Sequence, residues 1–385
     1  MKTQHALFVF VSLFLGSCNT SELQQGQEIT LQLPSQPYSY NLAVKDDLPT
    51  LGRVLFYDRQ LSINNSISCS SCHKQELGFA DNVRFSSGFA ARLTSRNSMP
   101  IQNLNSSISI DPSISIDPTF FAIQGSLFWD GRERELSSMV LKPLINHVEM
   151  GVNDLQSFTK KITGIPYYED LFTKAYGDGK VTKERVAEAL SWFVRSIRSN
   201  QTKFDQHVKS VGGIFPFPKP NNPVPTPVPS NVLSPLEQEG WHLFFEKYNC
   251  NSCHQVQQPT GYSMFGGTFA NIGLDKEYAD NGVQSVSMQP QDAGKFKIPS
   301  LRNVTLTAPY MHDGRFATLE DVINHYKEGI NDHPNLDQRL RNSDGSPRRI
   351  SITDNEKRTI IAFLQTLTDP NMISDPKLSN PFKTN

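Results

Sequence analysis

The chain has 385 residues, 37% hydrophobic and 19% charged, with a formal net charge of −1. That length suffices for two domains with real cores, and the balanced charge, with no Lys/Arg run, excludes a nucleic-acid binder, which needs a basic stripe to replace phosphate counterions. Five cysteines are too few for a disulfide scaffold of this size, and their odd number leaves at least one outside any pairing scheme.

In chain order, the first element is an apolar run from Ala6 to Leu15 behind Met1, Lys2 and His5. It is too short to span a bilayer as a mature helix and has the proportions of a secretory h-region. It ends in Leu15-Gly16-Ser17-Cys18, which is similar to the lipobox of bacterial lipoproteins. Residues 1–18 are therefore expected to be a signal peptide with Cys18 as the lipidated residue; the plainer alternative is an ordinary signal peptide with an incidental cysteine. Residues 19–44 read as a polar tether, and no later segment is apolar enough to cross a membrane. The expectation is an exported protein facing the periplasm, held to a membrane by its lipid alone.

Gly52 to Asp58 places Leu and Phe on one face and predicts a helix leading into Cys69-Ser70-Ser71-Cys72-His73. Ile108 to Ile116 alternates but is interrupted by Pro112, so it reads as a loop or short edge strand. Val186, Leu190, Phe193, Val194 and Ile197 predict an amphipathic helix closing the first half. Phe215 to Pro229 is too rich in proline for helix and reads as a stiff spacer. Gly240 to Glu246 then parallels Gly52 to Asp58, and Cys250-Asn251-Ser252-Cys253-His254 parallels the first cysteine motif. Asp313-Gly314-Arg315 follows Cys250 at nearly the distance at which Asp130-Gly131-Arg132 follows Cys69, and Arg96-Asn97 and Arg302-Asn303 precede them. A last helix carries Ile360, Phe363, Leu364 and Leu367 behind a capping box of Thr353 and Glu356. The chain is an internal repeat.

Both cysteine motifs have the C-x-x-C-H form that attaches c-type haem. Two thiols one helical turn apart reach the two vinyl groups as thioethers, and the adjacent His73 or His254 ligates the iron. Zinc is the main alternative, but a four-ligand site needs further close partners, and neither motif has another cysteine nearby. Four cysteines thus go to two covalent haems, and Cys18 is left for lipid.

These residues resemble the bacterial di-haem cytochrome c peroxidases and their relative, the di-haem enzyme of methylamine utilisation. The resemblance covers roughly residues 45 to 370. It rests on both haem motifs, Phe128-Trp129-Asp130-Gly131-Arg132, Val148-Glu149-Met150-Gly151, and Leu301-Arg302-Asn303-Val304 through Pro309-Tyr310. It implies an all-α fold with long loops: a peroxidatic haem c domain at 45–210, a Pro-rich linker at 211–232, an electron-transfer haem c domain at 233–370 and a tail at 371–385. It further implies that Glu149 is the acid/base that moves a proton between the two peroxide oxygens, the alternative being a surface glutamate. Trp129 carries electrons between the haems, and Asn97 with the carbonyls of Thr307 and Pro309 holds an interdomain calcium ion.

The chain departs from the peroxidase pattern at three places. Met139 stands where a glutamine is common in the same pocket. Phe89 stands where many relatives have a histidine capping the peroxidatic iron, which implies an open first haem. Tyr326 falls at the axial methionine of the second haem, as in the methylamine enzyme, with His325 as the competing ligand. The implied activity is reduction of hydrogen peroxide to water with electrons from a small cytochrome or copper protein, and a homodimer is compatible with it. Two rivals stand beside it: an oxidase of the methylamine type, which modifies a partner protein or small molecule through a high-valent di-haem state, and a non-catalytic di-haem electron carrier.

Overall fold

The computed structural model describes residues 31, 46–104, 126–211, 231–254 and 269–382. Cys18, the signal segment, nearly all of the tether, Ile108 to Ile116 and the Pro-rich stretch lie outside these residues. The described chain is helix-rich, with long loops between the helices and one short antiparallel pair, Phe269–Ala270 against Phe296–Lys297.

Two hydrophobic cores organise it. The first is built on the helices Asp47–Tyr57, Pro166–Tyr176 and Lys183–Ser196. Thr182 accepts from the Arg185 amide to start the last of these, and the five apolar residues expected to face the core are all buried. The second core is built on Pro235–His242, which runs on into a π-turn at Leu243–Lys247, and on Asp354–Gln365. There the capping box is reciprocal: the Thr353 hydroxyl accepts from the Glu356 amide, and the Glu356 carboxylate accepts from the Thr353 amide.

The repeat is physical as well as textual. A Cβ built on Gly52 would lie 1.9 Å from the Ala189 carbonyl oxygen and 2.8 Å from Phe193 Cβ; one built on Gly240 would lie 2.2 Å from the Thr359 carbonyl oxygen and 2.7 Å from Phe363 Cβ. In each half a glycine lets the first helix lie directly on the backbone of the last. These crossings fix the loops that follow the first helix, which carry the cysteine motifs.

Two segments pack differently from their place in the sequence. The helix Lys203–Ser210, expected at the end of the first half, belongs to the second core: Phe204 is buried there, and Asp205 takes a bidentate pair from the buried Arg302 at 2.6 and 2.9 Å. The residues after 370, expected as a tail, return to the first core. Met372 and Leu378 are buried in it, the Tyr57 hydroxyl donates to the Leu378 carbonyl at 2.7 Å, and Gln75 Nε2 donates to the carbonyls of Met372 and Asp375.

Because each crossing glycine meets backbone rather than a flexible side chain, Gly52→Ala and Gly240→Ala should each destabilise the protein by about 1–3 kcal/mol, despite alanine's better helix propensity. Thermal unfolding checks this, with a midpoint lowered by roughly 2–4 °C per kcal/mol.

Candidate haem-attachment loops and the seam between them

The two cysteine loops share one geometry. Cys69–Ser71 and Cys250–Ser252 are single 3-10 turns; His73 and His254 each donate a backbone N–H at 3.0 Å to the carbonyl of the first cysteine of their motif. This puts both thiols and the imidazole on one side of a tight turn. The Phe79 carbonyl, turned back by Gly78 in the left-handed region, lies 3.0 Å from His73 Nδ1, and the Pro299 carbonyl lies 3.2 Å from His254 Nδ1. A proton on Nδ1 engaged by a carbonyl makes Nε2 the ligand atom, the arrangement that orients metal-binding histidines. Burial pushes the thiols of Cys69 and Cys250 up to about 12 and that of Cys72 to about 11. Among the described residues no group of three or more His, Cys, Asp or Glu side chains could hold a metal ion. Each loop fits a covalently attached haem with one histidine ligand.

Glu149 lies at the first loop. Its charge reaches both Cys69 and Cys72, and burial raises its carboxyl above the ordinary range, opposed by Arg132. Asn146 Nδ2 donates to its Oε1 at 3.1 Å. Phe89 is packed onto the same turn: its amide donates to the Glu149 carbonyl at 2.9 Å, and a Cβ on Gly151, at φ +70°, would strike the Phe89 ring at 2.2 Å. Met139 packs at the edge of the first core.

At the second loop the adjacent pair separates. The π-turn His325–Gly329 sends the two side chains in different directions. His325 is buried with Nε2 2.8 Å from the Ile272 carbonyl. Tyr326 faces the haem loop, where burial and then the charges of Cys253 and Cys250 push its phenol far up.

Between the loops runs a seam. The Trp129 indole donates to the Asn97 carbonyl at 2.9 Å, and the Asn97 amide donates to the His312 carbonyl at 2.8 Å. Trp129 and His312 hold equivalent positions in the repeat: each follows a residue with positive φ, Phe128 or Met311, and precedes the Asp-Gly-Arg turn. His312 stacks on Phe296 with centroids 3.6 Å apart. Asn97 Nδ2 donates to the Val83 carbonyl at 3.1 Å, and its backbone amide ties it to His312, a few residues beyond Thr307 and Pro309. Sequence reasoning missed two contributors. Arg96 clamps Asp130 and Asp280 together, and Lys297, whose amide donates to the Trp129 carbonyl, buries its ammonium against the Ser126 carbonyl at 2.5 Å. The repeated Arg-Asn pair was a signal for the first; nothing in the sequence marked the second.

Two haem-attachment loops on two packed helical cores, with an aromatic seam between them, define a di-haem c-type cytochrome. Residues 47–211 match the family model for di-haem cytochrome c peroxidase. The chain is 29% identical to the cytochrome c551 peroxidase of Nitrosomonas europaea over 75% of each protein. It is 27% identical to the methylamine utilization protein MauG of Methylophilus methylotrophus, over 83% of this chain and 81% of that one. Among solved structures it resembles a MauG-like protein associated with microbial copper homeostasis, with TM-score 0.68, 29% identity and coverage of 91% and 97%. It shares the fold of the diheme peroxidase BthA from Burkholderia thailandensis, at TM-score 0.61 and 20% identity over 90% and 96%. The chain thus carries the family match over residues 47–211 and resembles peroxidase and MauG members along most of its length, a likeness that implies two haem c groups. The comparisons lend no support to a non-catalytic carrier.

Replacing Cys250 and Cys253 together by serine should halve the covalently bound haem while the first loop keeps its own. Denaturing electrophoresis stained for haem, with intact mass, checks this.

Proposed function

We propose that the protein is a peroxidase that reduces hydrogen peroxide to water, with electrons from a small cytochrome or copper protein. The observation that carries this reading is Glu149, a half-buried carboxyl raised by burial, whose charge reaches both thiols of the first haem loop. Haem held by Cys69, Cys72 and His73 would supply an iron that binds peroxide and accepts its oxidising equivalents. Glu149 takes the proton from one peroxide oxygen and returns it to the departing one. Asn146 fixes its Oε1, and Arg132 holds its pKa from rising further. Phe89, packed on Gly151 beside Glu149, has no atom able to ligate iron and would not compete with a small molecule for it. Trp129 passes electrons across the seam toward the loop of Cys250, Cys253 and His254. In this reading calcium sits at Asn97, Thr307 and Pro309. Cys18 carries lipid on an exported chain, two haem domains at 45–210 and 233–370 are joined by the 211–232 linker, and the protein is free to dimerise.

Tyr326 favours a second reading, an enzyme of the methylamine type that spends the stored equivalents on a partner protein or small organic molecule. Its position beside Cys250 and Cys253, with His325 engaged by Ile272, supports it as the phenolate ligand of the second haem. An anionic oxygen ligand lowers the potential and favours the oxidised states.

Glu149→Gln should lower peroxide turnover by about 10²–10⁴-fold, the usual worth of a general acid/base, with both haem spectra nearly unchanged; steady-state peroxide consumption with a reduced small cytochrome checks it. Because burial raises the Glu149 pKa, the acid limb of kcat/KM should lie above the ordinary carboxylate value of about 4.3: activity is present above the raised pKa and falls as pH drops through it. Tyr326→Phe should abolish the low-spin ferric resonance of the second haem while the first is unaffected, read by electron paramagnetic resonance.

A further inference from the structure

Beside the first haem loop lies a phenol pair, one buried and one half-exposed, that the peroxide chemistry above does not use. Tyr168 is 0% exposed and lies close enough to Cys69 for the two to interact electrostatically. Its hydroxyl donates to Asp58 Oδ2 at 2.7 Å, and the hydroxyl of Tyr167 donates to the same oxygen at 2.7 Å. The two rings lie 4.8 Å apart, and Tyr167 reaches the half-exposed surface, where Gln60 Nε2 donates to its hydroxyl at 2.8 Å. Asp58 is itself buried, at 4% exposed. A phenol is hard to oxidise while it keeps its proton, and a carboxylate at hydrogen-bond distance removes that obstacle by taking the proton as the electron leaves.

We propose that Asp58, Tyr168 and Tyr167 form an outlet that carries an oxidising equivalent from the first haem to the protein surface, where a small aromatic or phenolic one-electron donor refills it. The inference rests on the peroxide reading above, since peroxide is the oxidant. In the first step Tyr168 gives one electron to the oxidising equivalent left at the first haem and its hydroxyl proton to Asp58, leaving a neutral tyrosyl radical and a protonated carboxyl. In the second, Tyr167 gives an electron to the Tyr168 radical, Asp58 returns its proton to the Tyr168 oxygen, and the Tyr167 proton passes to Asp58. The carboxyl therefore ends the second step as it began, and the radical has moved to Tyr167. A surface donor then supplies one electron to the Tyr167 radical, Asp58 gives its proton to the Tyr167 oxygen, and both phenols and the carboxylate are restored. The shared oxygen makes this exchange possible without any other base.

The test uses the full holoenzyme with one equivalent of hydrogen peroxide and no donor, followed by freeze-quench electron paramagnetic resonance and by spin trapping with peptide mapping. The wild type should give a radical whose spectrum narrows when tyrosine is ring-deuterated, and a trap adduct on Tyr167. Tyr168→Phe, which keeps the ring and the packing, should lose both signals, while the optical change of the haem with peroxide persists. Tyr167→Phe should keep the radical and lose the surface adduct. A tyrosyl signal of wild-type yield in Tyr168→Phe, or none in the wild type despite the optical change, overturns the outlet and leaves the peroxidase reading standing. No optical change with peroxide overturns the peroxidase reading and the outlet with it.

Discussion

The structure depends on two adjacent residues, Arg96 and Asn97, which hold the two halves in register. The Arg96 fork gives Nε and Nη2 to the two oxygens of Asp280, at 2.6 and 2.8 Å, and Nη1 to Asp130 at 2.6 Å. One residue on, the Asn97 backbone accepts from the Trp129 indole and donates to His312. Asp130 is only 6% exposed and is also held by Arg132, whose Nη1 donates to both of its oxygens at 2.9 Å, so removing Arg96 would leave it with one cationic partner instead of two. The net worth of such a cluster over an apolar one is small. Its contribution is orientation: a planar guanidinium bound to two carboxylates permits one relative placement of the Trp129 turn and the Asp280 loop. Whatever passes between the haem loops passes through a seam with that geometry.

On either side of the seam the halves share what packing and covalent attachment dictate and differ where chemistry is chosen. The glycine crossings, the 3-10 cysteine turns and the positive-φ residues before Trp129 and His312 are the same device used twice. The differences gather beside the two cysteine loops. In the first half a phenylalanine on Gly151 offers nothing to iron and a carboxyl stands beside it. In the second half a π-turn inserts one extra residue into a helical turn and brings a phenol toward the loop.

This division also explains what could be read from the sequence. The haem motifs, the closing helices and the Asp-Gly-Arg turns were legible because each rests on local spacing. The second capping box was legible for the same reason. The 203–210 helix was not, because its amphipathic pattern says only that Phe204 is buried, not in which core; Arg302, distant in sequence, decides that. The residues after 370 offered Met372 and Leu378 as scattered apolar positions with no period, and their role as a strap over Tyr57 and Gln75 exists only once the first core is built. Counting placed the axial position on Tyr326 with its neighbour His325 as the competitor. That a π-turn and the carbonyl of Ile272 send the two side chains to different surroundings left no mark in the sequence.

The aromatic groups near the first haem loop differ in what they can do with a positive charge. Trp129 donates its indole proton to a backbone carbonyl, which hydrogen-bonds but cannot accept a proton outright. It is flanked by Arg96, whose charge is matched by two carboxylates, and by Lys297, whose ammonium donates to the Ser126 carbonyl and is brought down to about 8 by burial. Loss of an electron from that indole cannot be completed by proton transfer to the carbonyl it hydrogen-bonds, so the charge has reason to move on. Tyr168 is the opposite case: a carboxylate stands at its hydroxyl, and loss of an electron can be completed by loss of the proton. Electrostatics therefore make the seam a place of transit and the Asp58 pocket a place where an oxidising equivalent can rest. The direction an equivalent takes then depends on which it meets first, an electron arriving across the seam or the proton acceptor behind Cys69.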